Sequence, residues 1–216
     1  MRRMLVAATL LMIPTAVLIP HPNSPEAAGG SPAQSRLSAP VHWANRSVIQ
    51  VWIDRQNLPT RGDQLVERAM RTWGTASDGA FTMRRTFVEA DAGIRVYFNG
   101  AGGNYGETRP HVDRATGLID EAEVAIAADA PIQVDPLTRD IIVYLTALHE
   151  LGHALGLEHT ANFDDIMYLF RQPGDGPRYF GNYRKLLRSP DDIGTAPATG
   201  LSPYDVATLR ALYNGN

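Results

Sequence analysis

Apolar and polar positions change their period several times along the chain, and each change marks an element. Residues 48–53 (Val-Ile-Gln-Val-Trp-Ile) are rich in β-branched and aromatic side chains and predict a strand. Residues 63–76 put Leu65, Val66, Ala69, Met70 and Trp73 on one side at helical spacing. Residues 81–87 and 93–98 predict a second and a third strand. Residues 108–113 and 118–127 predict a hairpin around Arg114-Ala115-Thr116-Gly117, with Leu118, Ala122, Val124 and Ile126 as its alternating apolar set. Asp135-Pro136 then reads as a helix N-cap followed by proline at the first helical position. The run that follows, from Leu137 through Leu145 to Leu155, is apolar on most faces and predicts a buried helix.

The segments between these elements are less regular. The glycine-rich stretch at 99–106 lacks phosphate-loop spacing, because Tyr105 stands where a glycine is needed, so it predicts a flexible loop. Residues 169–200 carry Arg171, Arg178, Tyr179, Phe180, Tyr183, Arg184, Lys185 and Arg188 among several Pro and Gly. Two expectations compete there. One is a functional segment, basic and aromatic; the other is a solvated loop with a short helix at 183–187.

Length and charge narrow the class. The 216 residues suit one domain with its own core, and a net charge of −3 gives no electrostatic case for nucleic acid. Arg2 and Arg3 precede an apolar stretch at 5–19, the pattern of a secretory signal. Pro14 and the short length argue against a spanning helix. The expected organisation is a signal peptide or N-terminal anchor at 1–28, a disordered leader at 29–40 and one domain at 41–216 with a long insertion at 169–200. Export is the expected localisation, with no membrane span in the mature form and a monomeric state. There is no cysteine, so a disulfide framework is excluded.

The chemistry concentrates in His149-Glu150-Leu151-Gly152-His153-Ala154-Leu155-Gly156-Leu157-Glu158-His159, which has the form H-E-x-x-H-x-x-G-x-x-H. On a helix, His149 and His153 lie one turn apart on the same face and can share one tetrahedral zinc. Gly156 can take the left-handed conformation that ends a helix, which lets the chain turn and bring in His159 as a third nitrogen ligand. Three protein ligands leave a fourth position for water, the pattern of a catalytic site. Glu150 follows the first ligand directly, where its carboxylate can reach that water.

This motif, together with Ile166-Met167-Tyr168 downstream and the closing Leu201-Ser202 … Leu212-Tyr213, resembles the matrixin branch of the metzincin zinc peptidases. The resemblance is close at 149–168, moderate at 201–213 and weaker elsewhere. It implies an α+β metzincin fold: a twisted mixed sheet of about five strands, a backing helix, an active-site helix, and a small C-terminal subdomain with a closing helix. It implies a zinc endopeptidase that acts on protein or peptide substrates, with His149, His153 and His159 as metal ligands, Glu150 as general base and Met167 in the turn beneath the metal. It also implies that an edge strand near 105–112 pairs with the extended substrate, and that 169–200 walls the pocket just past the scissile bond. Animal matrixins hold a second zinc, for which this chain lacks the histidines; His111 with Asp113 only echoes that set. Calcium is left open but unsupported, since no D-x-[DN]-x-[DN]-G loop is present. Latency through a propeptide cysteine is excluded, and Glu26 is the one leader carboxylate that could plug the zinc. Two rival readings stay open: a zinc-binding surface or adhesion protein without turnover, and an amidase or cell-wall hydrolase.

Overall fold

The structure is a computed structural model, which describes residues 41–99, 105–127 and 134–214. The signal, the leader and Glu26, together with most of the glycine-rich stretch at 99–106, lie outside the described residues.

Strands β1 (Ser47–Ile53), β2 (Phe81–Thr86), β3 (Ile94–Phe98), β4 (Gly106–Val112) and β5 (Ile119–Ile126) form one sheet in the order β2-β1-β3-β5-β4. The first four in that order run parallel, and β4 is antiparallel to β5 at the edge. The sheet is thus five-stranded and mixed, as the family resemblance implied. One face is apolar: Ile49, Val51, Ile53, Ile94, Val96, Phe98, Ala122, Val124 and Ile126 are all buried. Two helices cover that face, α1 (Gly62–Ala76) and α2 (Pro136–Ala154), packed on each other. β4 has no buried residue and contains Pro110, both usual in an edge strand. It starts at Gly106, two residues before the sequence expectation, because its pairing with β5 extends to Gly106 opposite Ile126.

Helix α2 forms where its cap and composition dictate. Asp135 accepts a hydrogen bond from the Thr138 backbone N–H at 3.2 Å, and Pro136 fixes the first turn. Ile141 to Leu145, Ala147, Leu148 and Leu151 are buried, so the helix is surrounded by core. Two tryptophans from other elements pin its C-terminal half: Trp73 donates to the Leu148 carbonyl at 2.8 Å and Trp43 to the Ala154 carbonyl at 2.7 Å. The closing helix α4 (Pro203–Asn214) buries Leu209 and Tyr213, and the Tyr213 hydroxyl donates to the Leu155 carbonyl at 3.1 Å. The end of α2 is therefore held from several sides, as a metal site needs.

The segment at 169–200 departs from the second of the two expectations. It is not a solvated loop, and its helix is not at 183–187. Helix α3 spans Asp175–Arg184 and ends where the short helix was expected to begin. Two glycines and Pro177 inside it hide it from propensity; burial of Phe180 and Tyr183 holds it. Ile193 and Ala198 are also buried, and Arg68 of α1 donates to the carbonyls of Pro190, Asp191 and Ile193. The segment is anchored to the core through these side chains.

Candidate active site

Helix α2 carries His149 and His153 on its last two turns. The helix then stops at Gly156, whose φ of 98° only glycine tolerates well, and a Cβ there would stand 2.1 Å from the Val41 carbonyl oxygen. The turn brings His159 back: its Nε2 lies 3.1 Å from His153 Nε2, and one ligating atom from each of the three histidines falls within 4.8 Å of the others. Among the described residues this is the group able to hold a metal ion.

The donor set fits zinc. Nδ1 of His149 donates to the Ile166 carbonyl at 2.6 Å, and Nδ1 of His153 donates to the Leu157 carbonyl at 2.8 Å. These bonds fix the tautomer and leave Nε2 of each ring with a bare lone pair, the form a metal ligand requires. Two bare nitrogens of a tetrahedral zinc site stand about 3.3 Å apart, close to the His153–His159 separation. Protonation does not readily fill the space between the rings. Burial, with the neighbouring His153 next, holds His149 down to about 4; burial also lowers His153 and His159.

Glu150 is almost fully buried, and burial lifts its carboxyl to about 7, with the charge of Glu107 adding to the rise. The Thr108 hydroxyl donates to Oε2 of Glu150 at 2.7 Å and opposes that rise. Gly106 leaves room for the same carboxylate: a Cβ there would lie 2.5 Å from Oε1. Thr108 and Gly106 were not found by sequence reasoning. They sit on β4, some forty residues from Glu150, and only the sheet-on-helix packing brings them together.

Met167 is buried, and its Sδ would be 2.5 Å from a Cβ on Gly152, a third residue that the sequence reading did not single out. The turn is tied to the third histidine's neighbour: Thr160 N–H donates to the Met167 carbonyl at 2.8 Å. The Tyr168 hydroxyl donates to Asp175 at 3.0 Å, which occupies it away from the histidines. His111 pairs with Asp120 at 2.6 Å, not with Asp113, and this exposed pair raises the imidazole above its ordinary range.

A cleft of about 680 Å³ runs between β4 and the segment 156–170, with Leu145, Thr146 and the site residues of α2 as its floor. Tyr168, Leu169, Phe170, Tyr179 and Phe180 complete one wall. The expected wall is therefore aromatic but not basic: among the described residues no Arg or Lys lines the cleft. Arg184 instead binds Asp135, and Arg178 lies over the Phe163 ring at 3.9 Å.

A mixed sheet with an antiparallel edge strand over a helix that bears H-E-x-x-H is the architecture of a metzincin-type catalytic domain. The matrixin family model matches residues 43–179, and the chain belongs to that family, whose members are zinc-dependent metalloendopeptidases. It is similar to metalloendoproteinase 5-MMP of Arabidopsis thaliana, 27% identical over 162 residues, 68% of this chain and 42% of that protein. It is also similar to interstitial collagenase of Sus scrofa, 29% identical over 49% of this chain and 23% of that protein. Matrix metalloproteinase-15 of Homo sapiens is 33% identical over 50% of this chain and 18% of that protein. The chain spans less than half the length of these curated relatives.

Proposed function

We propose that this chain is an exported zinc-dependent endopeptidase in which His149, His153 and His159 hold the metal and Glu150 is the general base. The observation that carries the reading is the juxtaposition of a buried carboxylate with three neutral imidazoles beside an edge strand. A bound zinc would supply a Lewis acid that makes water acidic near neutral pH and polarises a carbonyl. Glu150 accepts the proton of the attacking water and later delivers it to the leaving amine; a carboxyl raised to about 7 is matched to both steps at neutral pH. The Thr108 hydroxyl donates to Oε2 and holds the carboxylate in place. The outer edge of β4 offers backbone N–H and C=O groups to an extended peptide, which aligns the scissile bond over α2. Met167 serves as packing under the metal ligands and takes no chemical step.

Export is supported by the basic start and apolar run at 1–19, and among the described residues no helix is long and apolar enough to cross a membrane. The experiment is metal analysis of the purified protein and of His149→Ala, His153→Ala and His159→Ala, with hydrolysis of a quenched peptide before and after chelation. One zinc per chain, lost in each variant, is expected, together with hydrolysis that chelator abolishes and zinc restores. Stoichiometric, tightly held zinc in His159→Ala would remove the third ligand from the assignment.

A further inference from the structure

Tyr168, Leu169 and Phe170 line the cleft across from β4. The start of this strip is tied to the segment that carries the third histidine. Thr160 and Tyr168 form an isolated β-bridge, in which the Leu169 N–H donates to the Thr160 carbonyl at 3.3 Å. The rest of the strip is held by Asp175, the first residue of α3. Its Oδ2 accepts three hydrogen bonds: from the Tyr168 hydroxyl at 3.0 Å, the Arg171 N–H at 3.0 Å and the Gln172 N–H at 2.9 Å. Asp175 is buried. The Gln172 amide foremost, with the Arg171 amide and the Tyr168 hydroxyl, holds its carboxyl below the ordinary range against the opposing effect of burial, so it accepts as an anion.

These bonds grip the chain on both sides of Phe170, at the side chain of residue 168 and at the amides of residues 171 and 172. The Phe170 ring itself meets Tyr168 at 5.9 Å, Tyr179 at 5.6 Å and Phe180 at 6.0 Å. Asp175 is not among the residues that line the cleft, so any influence on a substrate passes through the strip it holds. A plainer role competes with this one. The Asp175 N–H donates to the Gln172 carbonyl at 3.1 Å, so the two amide bonds also close the turn that starts α3. The bond from Tyr168 is the one that reaches the cleft.

Building on the peptidase reading, we propose that Asp175 is a positioning residue for substrate selection: it fixes Tyr168 and Phe170 as a wall against which a large apolar side chain just past the scissile bond is preferred. The lining suits such a side chain. Leu145, Ile166, Leu169, Phe170 and Phe180 supply apolar surface, and among the described residues no Arg or Lys lines the cleft. A phenylalanine buries far more apolar area there than an alanine, but only against a wall that stays in place.

The test uses the zinc-loaded full chain and two quenched peptides that differ only in the residue just past the scissile bond, Phe or Ala. The parent should cleave the Phe peptide with a kcat/KM at least roughly tenfold the larger. Asp175→Ala and Tyr168→Phe should each lower that ratio roughly threefold or more, through a higher KM for the Phe peptide, with zinc content unchanged. Asp175→Asn, which keeps an acceptor in the same place, should recover part of the ratio. Tyr168→Phe leaves the turn of α3 intact and covers the case in which Asp175→Ala does not fold. A parent that does not distinguish the peptides, or a Tyr168→Phe variant with the parent's ratio, would overturn the assignment and leave the peptidase reading standing. An equal fall for both peptides in both variants would show support of the fold alone and would also overturn it. Affinity of the same peptides for Glu150→Gln, read by fluorescence polarisation with and without Tyr168→Phe, separates the two ideas. Tighter binding of the Phe peptide that Tyr168→Phe abolishes supports the role of Asp175 even without turnover, and equal affinities count against it.

Discussion

The Thr108 hydroxyl stands 2.7 Å from Oε2 of Glu150, joining the edge strand to helix α2 through the carboxylate proposed as general base. The same hydroxyl lies 3.0 Å from the Glu150 backbone carbonyl, so either oxygen can take its proton. When the proton goes to Oε2, the shorter contact, it steadies the carboxylate. Thr108→Val, nearly isosteric and without the hydroxyl, should lower kcat about tenfold with KM little changed, the scale of one hydrogen bond to a charged group. Thr108→Ser should restore most of the loss. Steady-state kinetics of the two variants, with zinc content measured alongside, checks this; a Thr108→Val variant as fast as the parent would make the contact incidental.

Gly106 is glycine for want of space. Its added methyl would stand 2.5 Å from Oε1 and 2.6 Å from Cγ of Glu150. Gly106→Ala should therefore push the carboxylate from its seat and cut turnover by at least about tenfold. The three atoms nearest that methyl all belong to Glu150 and none to a histidine, so zinc content should be unchanged. Loss of zinc with loss of activity would show that the residue supports the fold and not the carboxylate.

The segment 169–200 is structural as well as a wall. Tyr183 is buried and stacked on Tyr144 at 5.9 Å, and its hydroxyl accepts from the Gly194 N–H at 3.0 Å and donates to the Ala198 carbonyl. Tyr183→Ala should cost about 3–5 kcal/mol, the range for loss of a buried aromatic side chain. Tyr183→Phe should cost about 1 kcal/mol, for the hydrogen bonds alone. Urea denaturation reads both. A Tyr183→Ala variant within about 0.5 kcal/mol of the parent would return the segment to the status of a surface loop.

The histidine site was legible in the sequence because its geometry is local. Helical spacing sets His149 and His153 on one face, and Gly156 announces the turn that returns His159. The cap at Asp135 and the apolar run after it marked α2 for the same reason: cap and periodicity are properties of adjacent residues. What was not legible depends on contacts between distant residues. Thr108 and Gly106 look like ordinary edge-strand positions until the packing of β4 on α2 puts them on Glu150. Helix α3 is written in glycine, proline and aromatic residues, and its stability comes from burial of Phe180 and Tyr183. The basic residues of 169–200 suggested a charged pocket wall, yet Arg184 is held by Asp135 and Arg178 by Phe163 and Asp175.

The central claim is that Glu150 moves the proton at a metal site built by its neighbours, and hydrolysis of a quenched peptide by zinc-loaded Glu150→Gln measures it most directly. The substitution keeps the size of the side chain and its hydrogen bond to Thr108, so zinc content and thermal unfolding should match the parent. Turnover should fall by about 10²–10⁴-fold, the usual contribution of a general base. Hydrolysis at near the parent rate by a fully zinc-loaded Glu150→Gln would contradict the account.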